Sequence, residues 1–288
     1  MKLIFSLPLL AVLWVSEPPT EPVASPESLK ESLTFYASYD GRAHADYARG
    51  NPYAHTAKDY DQLPDGKRGL RSKFISIAEN QGVSGDALEF TRKNDNILYY
   101  QAKYNIPYTV ENWSGTVSFW LRLNPDEDLE PGYCDPIQIT DEGYNDAALW
   151  VDFSDKNPRA FRMGVYADLN AWNPDGTEGA DNPEFIKRLV PSKDMPFGRN
   201  QWTHVVIRYE NLNSDGGSAQ LYLNGELHGT QQDIREPFGW DVERATIRLG
   251  LSYVGLLDEL AIFNKALSKE EIAELYSMQG NLKSILEP

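Results

Sequence analysis

Cysteine is almost missing. The 288-residue chain has one, Cys134, so no disulfide can close within it, and a cysteine-rich zinc site is excluded. Its setting, "GYCDPIQIT", suits a small buried side chain. Histidine is scarce as well: His44, His55, His204 and His228 are scattered, and no H-E-x-x-H run joins any two of them. G-x-S-x-G, G-x-x-x-x-G-K and G-x-G-x-x-G are also lacking, which leaves no nucleophile elbow, phosphate loop or dinucleotide turn. Basic residues are in deficit. Lys and Arg total 27 against 43 Asp and Glu, a formal charge of −16, which repels nucleic acid and anionic membrane. Neither a nucleic acid nor a nucleotide is expected as a partner.

Long apolar runs are confined to the start. After Lys2, Leu3 to Val15 is apolar but falls short of the roughly 20 residues that span a bilayer. It has the length of a secretory h-region, although Trp14 stands where a cleavage site favours a small residue. Residues 1–16 are therefore expected to be a signal peptide or a retained N-terminal anchor, placing the protein outside the cell or in the periplasm or envelope. Residues 17–32, rich in Pro, Ser and Glu, read as a disordered linker. One domain, 33–288, follows.

That domain is built of short β-like segments bounded by Gly, Asn, Asp and Pro, among them "LTFYASY", "ALEF", "NILYY", "GTVSFWLRL", "DPIQIT", "AALWVDFS", "RAFRMGVYA", "WTHVVIRYE", "SAQLYLNGEL", "ATIRLGL" and "VGLLDELAIFN". Without helical intervals between them, an all-β antiparallel two-sheet sandwich is the expected fold. Asn224-Gly225 and "NSDGGS" mark hairpins. One helix is legible: Ser268 and Glu271 form a capping box ahead of an apolar stripe, Leu267, Ile272, Leu275 and Tyr276.

Alternation sorts the faces. In "TVSFWLRL", Val117, Phe119, Leu121 and Leu123 oppose Ser118, Trp120 and Arg122. Leu149, Val151 and Phe153 oppose Trp150 and Asp152; Phe161, Met163 and Val165 oppose Arg162 and Tyr166; less cleanly, Val205, Ile207 and Tyr209 oppose His204, Val206 and Arg208. If these strands lie side by side, Trp120, Trp150, Asp152, Arg162, Tyr166, His204 and Arg208 make one polar, aromatic sheet face. Sugars offer an apolar C–H face for stacking and a rim of hydroxyls for charged partners, so this is a candidate glycan platform. A merely solvated outer face is the alternative. The insert from Asp168 to Phe197 carries Trp172 among Asp175, Glu178, Asp181 and Glu184. It is either a second stacking element over the platform or a solvated acidic loop. "NWS" at Asn112 is a glycosylation sequon.

Four segments in this order, "GTVSFWLRL", "QWTHVVIRYE", "AQLYLNGELHG" and "GLLDELAIFNKALSKEEIAELY", resemble laminin G-like, concanavalin A-like jelly-roll domains of bacterial secreted proteins. "ASYDG" and "GVSGDALEF" resemble the family's first and second strands. Asn224 departs from the Asp usual before that Gly, and the long insert is a second departure. The resemblance implies a jelly roll and often a structural calcium, with Asp40 and Asp258 as carboxylate ligands and carbonyls near Gly41 and Gly82 completing the oxygen shell. Asp258 inside an apolar strand could instead accept backbone N–H bonds at a bulge or pair with an arginine. Glycosidases of this fold set E-x-D-x-E or E-x-D-x-x-E along one strand, and no strand here does so: Asp152 stands alone, while Asp135, Asp141 and Glu142 bracket theirs. The expected role is thus a secreted, lectin-like, non-catalytic binding module for glycan or polysaccharide. A lyase or glycosidase on the same fold, and an adhesion module for a surface or matrix protein, stay open.

Overall fold

The computed structural model describes residues 25–177, 182–192 and 194–286. The expected signal or anchor segment, and Glu178 and Asp181 of the insert, lie outside them. In chain order the strands are β1 Leu33–Ala37, β2 Tyr47–Ala48, β3 His55–Ala57, β4 Lys67–Arg68, β5 Ile75–Ala78 and β6 Ala87–Phe90. Next come β7 Ile97–Gln101, β8 Trp113–Arg122, β9 Cys134–Thr140, β10 Ala148–Phe153, β11 Phe161–Tyr166 and β12 Val190–Pro191. Last are β13 Thr203–Leu212, β14 Gly217–Leu223, β15 Glu226–Ile234, β16 Thr246–Leu251 and β17 Gly255–Phe263. The first sheet runs β15-β14-β13-β8-β17-β1-β2, with β6 and β5 attached at β17. The second runs β12-β11-β10-β9-β16-β7-β3-β4. The ladders between named strands are antiparallel, as expected for a jelly roll.

The alternating apolar residues do what their period requires. Val117, Phe119 and Leu121 of the first sheet and Ile137, Leu149, Val151 and Phe153 of the second join one buried core between the layers. Trp113 is fully buried, ringed by Tyr108, Tyr209, Phe238 and Trp240 at centroid distances of 4.7–5.8 Å. Cys134 is fully buried, and burial pushes its thiol up to about 11, which leaves it unreactive. Asn224 (φ 51°) and Gly225 (φ 80°) turn the β14–β15 hairpin, both in the left-handed region that such a tight turn needs. The Asn224 side chain also accepts the His204 N–H at 2.9 Å.

A second apolar layer covers the outside of the first sheet. The closing helix Lys269–Ser277 has the expected capping box. It packs Leu267, Ile272 and Leu275 against Val206, Tyr222 and Phe263. Residues 26–32 of the expected linker are a correction, since Pro26–Ser32 is helical. Ser25 accepts the Ser28 N–H at 3.2 Å, Pro26 occupies the first helical position, and Leu29 is fully buried in that same layer. Composition alone reads Pro, Ser and Glu as disorder, but Ser-Pro-Glu is also how a capped helix starts. Among the described residues no helix is long and apolar enough to cross a membrane.

Candidate functional site

The expected platform divides between the two sheets. Trp120 (β8), His204 and Arg208 (β13) lie on the outer face of the first sheet, whereas Trp150, Asp152 (β10), Arg162 and Tyr166 (β11) lie on the outer face of the second. The core separates these faces, so no single ligand can span them.

The first group is enclosed. Tyr276 of the closing helix stacks on Trp120 and His204, with centroids 5.8 and 6.1 Å apart. Trp120 is 3% and His204 1% exposed. The His204 Nε2 is 2.8 Å from Ser118 Oγ, and burial pushes the imidazole down to about 3, so the ring is neutral. Arg208 is committed to the Leu267 carbonyl, Gln220 and Glu210. Exposed-looking alternation misled here because a helix later in the chain covers this face.

The insert does the same to part of the second group. Its helix Pro183–Arg188 brings Phe185 onto Tyr166 and Trp150 at 4.7 and 6.4 Å. Trp172 closes over Tyr166 at 5.3 Å. Trp150, Tyr166 and Trp172 are all nearly inaccessible. Their polar ends are satisfied internally, by the carbonyls of Tyr144, Phe185 and Asn145. They form a small aromatic core and do not present rings for stacking. Asp175 and Glu184 are solvated, as the acidic-loop alternative holds.

Beside that core a pocket of roughly 310 Å³ opens on the second sheet. Asp135, Gln138, Asp152 and Arg162 supply its polar lining. Tyr60, Tyr133 and Tyr144 edge it, and their 51, 44 and 48% exposure places three aromatic rings at an accessible rim. Arg162 grips Asp152 through both Nε and Nη2, and its guanidinium lies 5.2 Å from the centroid of Tyr133. Arg248 lies similarly over Tyr60, at 5.1 Å.

Asp135 reaches this site by a bulge. Phe153 pairs with Cys134 and Val151 with Ile137, so Asp152 alone opposes both Asp135 and Pro136. The extra residue turns Asp135 from the face of Ile137 to the face of Asp152 and Gln138. Strict alternation missed it; the signal in the sequence was Pro136 inside a strand, since proline has no N–H for the ladder and favours bulges. Burial, and then the charge of Asp152, push the Asp135 carboxyl up to about 8. Burial also raises Asp152, but the Arg162 fork opposes it. The Arg162 fork thus favours the charged form of Asp152, whereas Asp135 has only the Gln138 amide as a side-chain partner among the described residues.

Asp258 sits at a second bulge, between the Asp258–Trp120 and Ala261–Ser118 pairs. It accepts N–H bonds from Val83 at 2.8 Å and Glu259 at 2.9 Å, as the bulge alternative anticipates. Asp40, Gly41 and Gly82 do gather near it. Asp40 accepts the Asp86 N–H, and Gly41 donates to Asp86 Oδ2. A Cβ at Gly82 would lie 2.7 Å from Asp258 Oδ2 and 2.3 and 2.6 Å from the Asp86 and Ser84 carbonyl oxygens. Burial, partly offset by its backbone hydrogen bonds, pushes Asp258 up to about 8, with Asp40 adding repulsion. Among the described residues no cluster of three or more Asp, Glu, His or Cys side chains is set to hold a metal.

A family model described as the concanavalin A-like lectin/glucanases superfamily matches residues 99–273. The chain belongs to this superfamily. No curated protein matches it. Among solved structures, Domain 4 of AbnA, a GH43 extracellular arabinanase from Geobacillus stearothermophilus solved with arabinotriose, is 17% identical with a TM-score of 0.50, covering 85% of this chain and 98% of that one. Botulinum neurotoxin type C, whose cell entry depends on interaction with two ganglioside molecules, is 17% identical with a TM-score of 0.55 over 88% of this chain. The binding domain of botulinum neurotoxin DC with SialylT is 14% identical, also with a TM-score of 0.55, over 87% of this chain. This chain spans about half of each toxin chain, 53 and 52%. At these identities the likeness is one of fold.

Proposed function

We propose that the chain is a non-catalytic carbohydrate-binding module of a secreted or envelope-exposed protein, and that its site is the pocket on the second sheet. The observation that carries this reading is the rim of accessible tyrosines around a polar floor. Exposed rings stack on the C–H faces of sugars, and Asp135 and Arg162 have groups able to meet hydroxyls. Among the fold's solved members, one is in complex with arabinotriose, one depends on two ganglioside molecules for cell entry and one is in complex with SialylT, which makes glycans the first class to test. The direct test is retention on a panel of immobilised polysaccharides, with the eluate assayed for new reducing or unsaturated ends. Retention without new ends supports the reading; new ends would replace it with an enzyme.

We also propose a calcium ion among the oxygens gathered around Gly82. Asp40 and Asp258 would hold the ion with the Ser84 and Asp86 carbonyls, and its charge would offset the burial of Asp258. Its part would be structural, pinning the turn before β6 to β17. Millimolar calcium is then expected to raise the melting temperature of chelator-treated protein at pH 7.5, and Asp258→Asn to remove that increment. An unchanged melting temperature in the wild type would discard the metal.

A further inference from the structure

Building on the pocket reading, we propose that Arg248 is a positioning residue of the sugar site. It meets no ligand itself; its guanidinium holds the rim ring of Tyr60 and the floor pair Gln138 and Asp135 in the geometry that binds. Arg248 lies on β16 between Ile247 and Leu249, which point into the core, so alternation sends it to the outer face of the second sheet. There it stands directly opposite Gln138 of β9. Arg248 is 1% exposed and does not line the pocket, whereas Gln138, Asp135 and Tyr60 do.

Each nitrogen of the fork has its own task. Nε donates to Thr246 Oγ1 at 2.9 Å and Nη2 to the Glu142 carbonyl at 3.1 Å, which together fix the plane of the guanidinium. Nη1 donates to Gln138 Oε1 at 3.0 Å. An arginine can only donate, so Oε1 is the amide atom that faces it, and Nε2 is turned to Asp135. Nε2 donates to Asp135 Oδ2 at 2.7 Å, the one side-chain hydrogen bond to Asp135 among the described residues. Oδ2 can accept it whether or not the carboxyl carries a proton. Without Arg248 the amide is free to rotate, and Asp135 loses the bond that sets its orientation. The same guanidinium lies over the Tyr60 ring, 5.1 Å from its centroid. Tyr60 opens a short 3-10 helix and is 51% exposed, so this contact steadies a ring that otherwise faces solvent. The sheet alone has little use for a cation here, because its hydrogen-bond partners are all neutral and desolvating a charge is expensive. The pocket has one: a planar fork fixed at two nitrogens can orient an amide with the third and support a ring as well.

Affinity would be measured by calorimetry on the full chain with arabinan-, xylan-, glucan- and polygalacturonate-derived oligosaccharides, with urea unfolding followed in parallel. Arg248→Lys keeps the charge but lacks the fork that reaches three partners. Folded Arg248→Lys should bind at least about fivefold more weakly than the wild type, as expected when one aromatic contact and one hydrogen bond are misplaced. The same substitution should cost less in a Tyr60→Ala background and less in a Gln138→Ala background, because each removes one of the groups that Arg248 holds. A residue that only supports the sheet would give equal losses in all three backgrounds. Should Arg248→Lys not fold, Gln138→Met carries the test: it leaves Arg248 in place, frees Asp135, and should weaken binding at least about twofold. Full affinity in folded Arg248→Lys, equal losses across the backgrounds, or full affinity in Gln138→Met would each overturn the proposal while leaving glycan binding intact. No binding of the wild type to any oligosaccharide would overturn the pocket reading itself.

Discussion

Arg162→Ala should destabilise the protein by about 3–5 kcal/mol, because it leaves Asp152 charged and buried without its partner. Asp152 is 4% exposed, and both its oxygens are held by the one guanidinium. The two residues are directly paired across β10 and β11, and their side chains meet on the face that lines the pocket. The double variant Asp152→Leu/Arg162→Met removes both charges and keeps apolar bulk, so its cost should be well below that of Arg162→Ala. Urea unfolding of the three proteins reads the difference. Equal losses in the single and double variants would mean that Arg162 contributes through packing rather than through charge.

Trp113→Ala should cost a similar amount, about 3–5 kcal/mol, for a different reason. The indole is fully buried, and its four aromatic neighbours Tyr108, Tyr209, Phe238 and Trp240 come from β13 and from segments flanking β8 and β16. Alanine would leave a void that rings from three separate segments cannot fill by one small movement. Trp113→Phe should lose much less, since it retains an aromatic body. None of these residues lines the tyrosine-rimmed pocket, so glycan retention by folded Trp113→Ala protein should equal that of the wild type. A loss below about 1 kcal/mol in urea unfolding would show that the cluster is loosely packed.

The fold was legible because it rests on a local signal. Strict alternation in "TVSFWLRL" and "AALWVDFS" puts Phe119 and Val151 inside whatever their strand neighbours are, and Asn224-Gly225 and the Ser268–Glu271 box end elements without tertiary help. The site was only partly legible, because its makers are not local. Alternation identified Trp120 and Trp150 as outward-facing, and so they are. It could not say that Tyr276, more than 150 residues later, covers the first, or that Phe185 of the insert covers the second. Nor could it place β8 and β13 in a different sheet from β10 and β11, which is decided by the order in which strands pair. Asp152 and Arg162 were found because they sit in regular register; Asp135 was lost to a bulge. Tyr60 opens a short 3-10 helix, and Tyr133 and Tyr144 lie in the connections before β9 and β10, where no period marks a face. Asp258 shows the same limit. An acid in an apolar run is a visible anomaly, but its two N–H donors come from the β17 bulge, through Glu259, and from the turn before β6, through Val83, and neither is marked in the run itself.

The most direct test of the central claim is retention of Tyr133→Ala/Tyr144→Ala protein on whichever polysaccharide holds the wild type most strongly. Both side chains are near half exposed, so unfolding by urea should be unchanged within about 0.5 kcal/mol. If the rim tyrosines stack on the sugar, retention should fall at least about fivefold, as expected when two aromatic contacts worth about 0.5–1.5 kcal/mol each are removed. Full retention by a stably folded double variant would contradict the account and send the search for the binding surface elsewhere on the molecule.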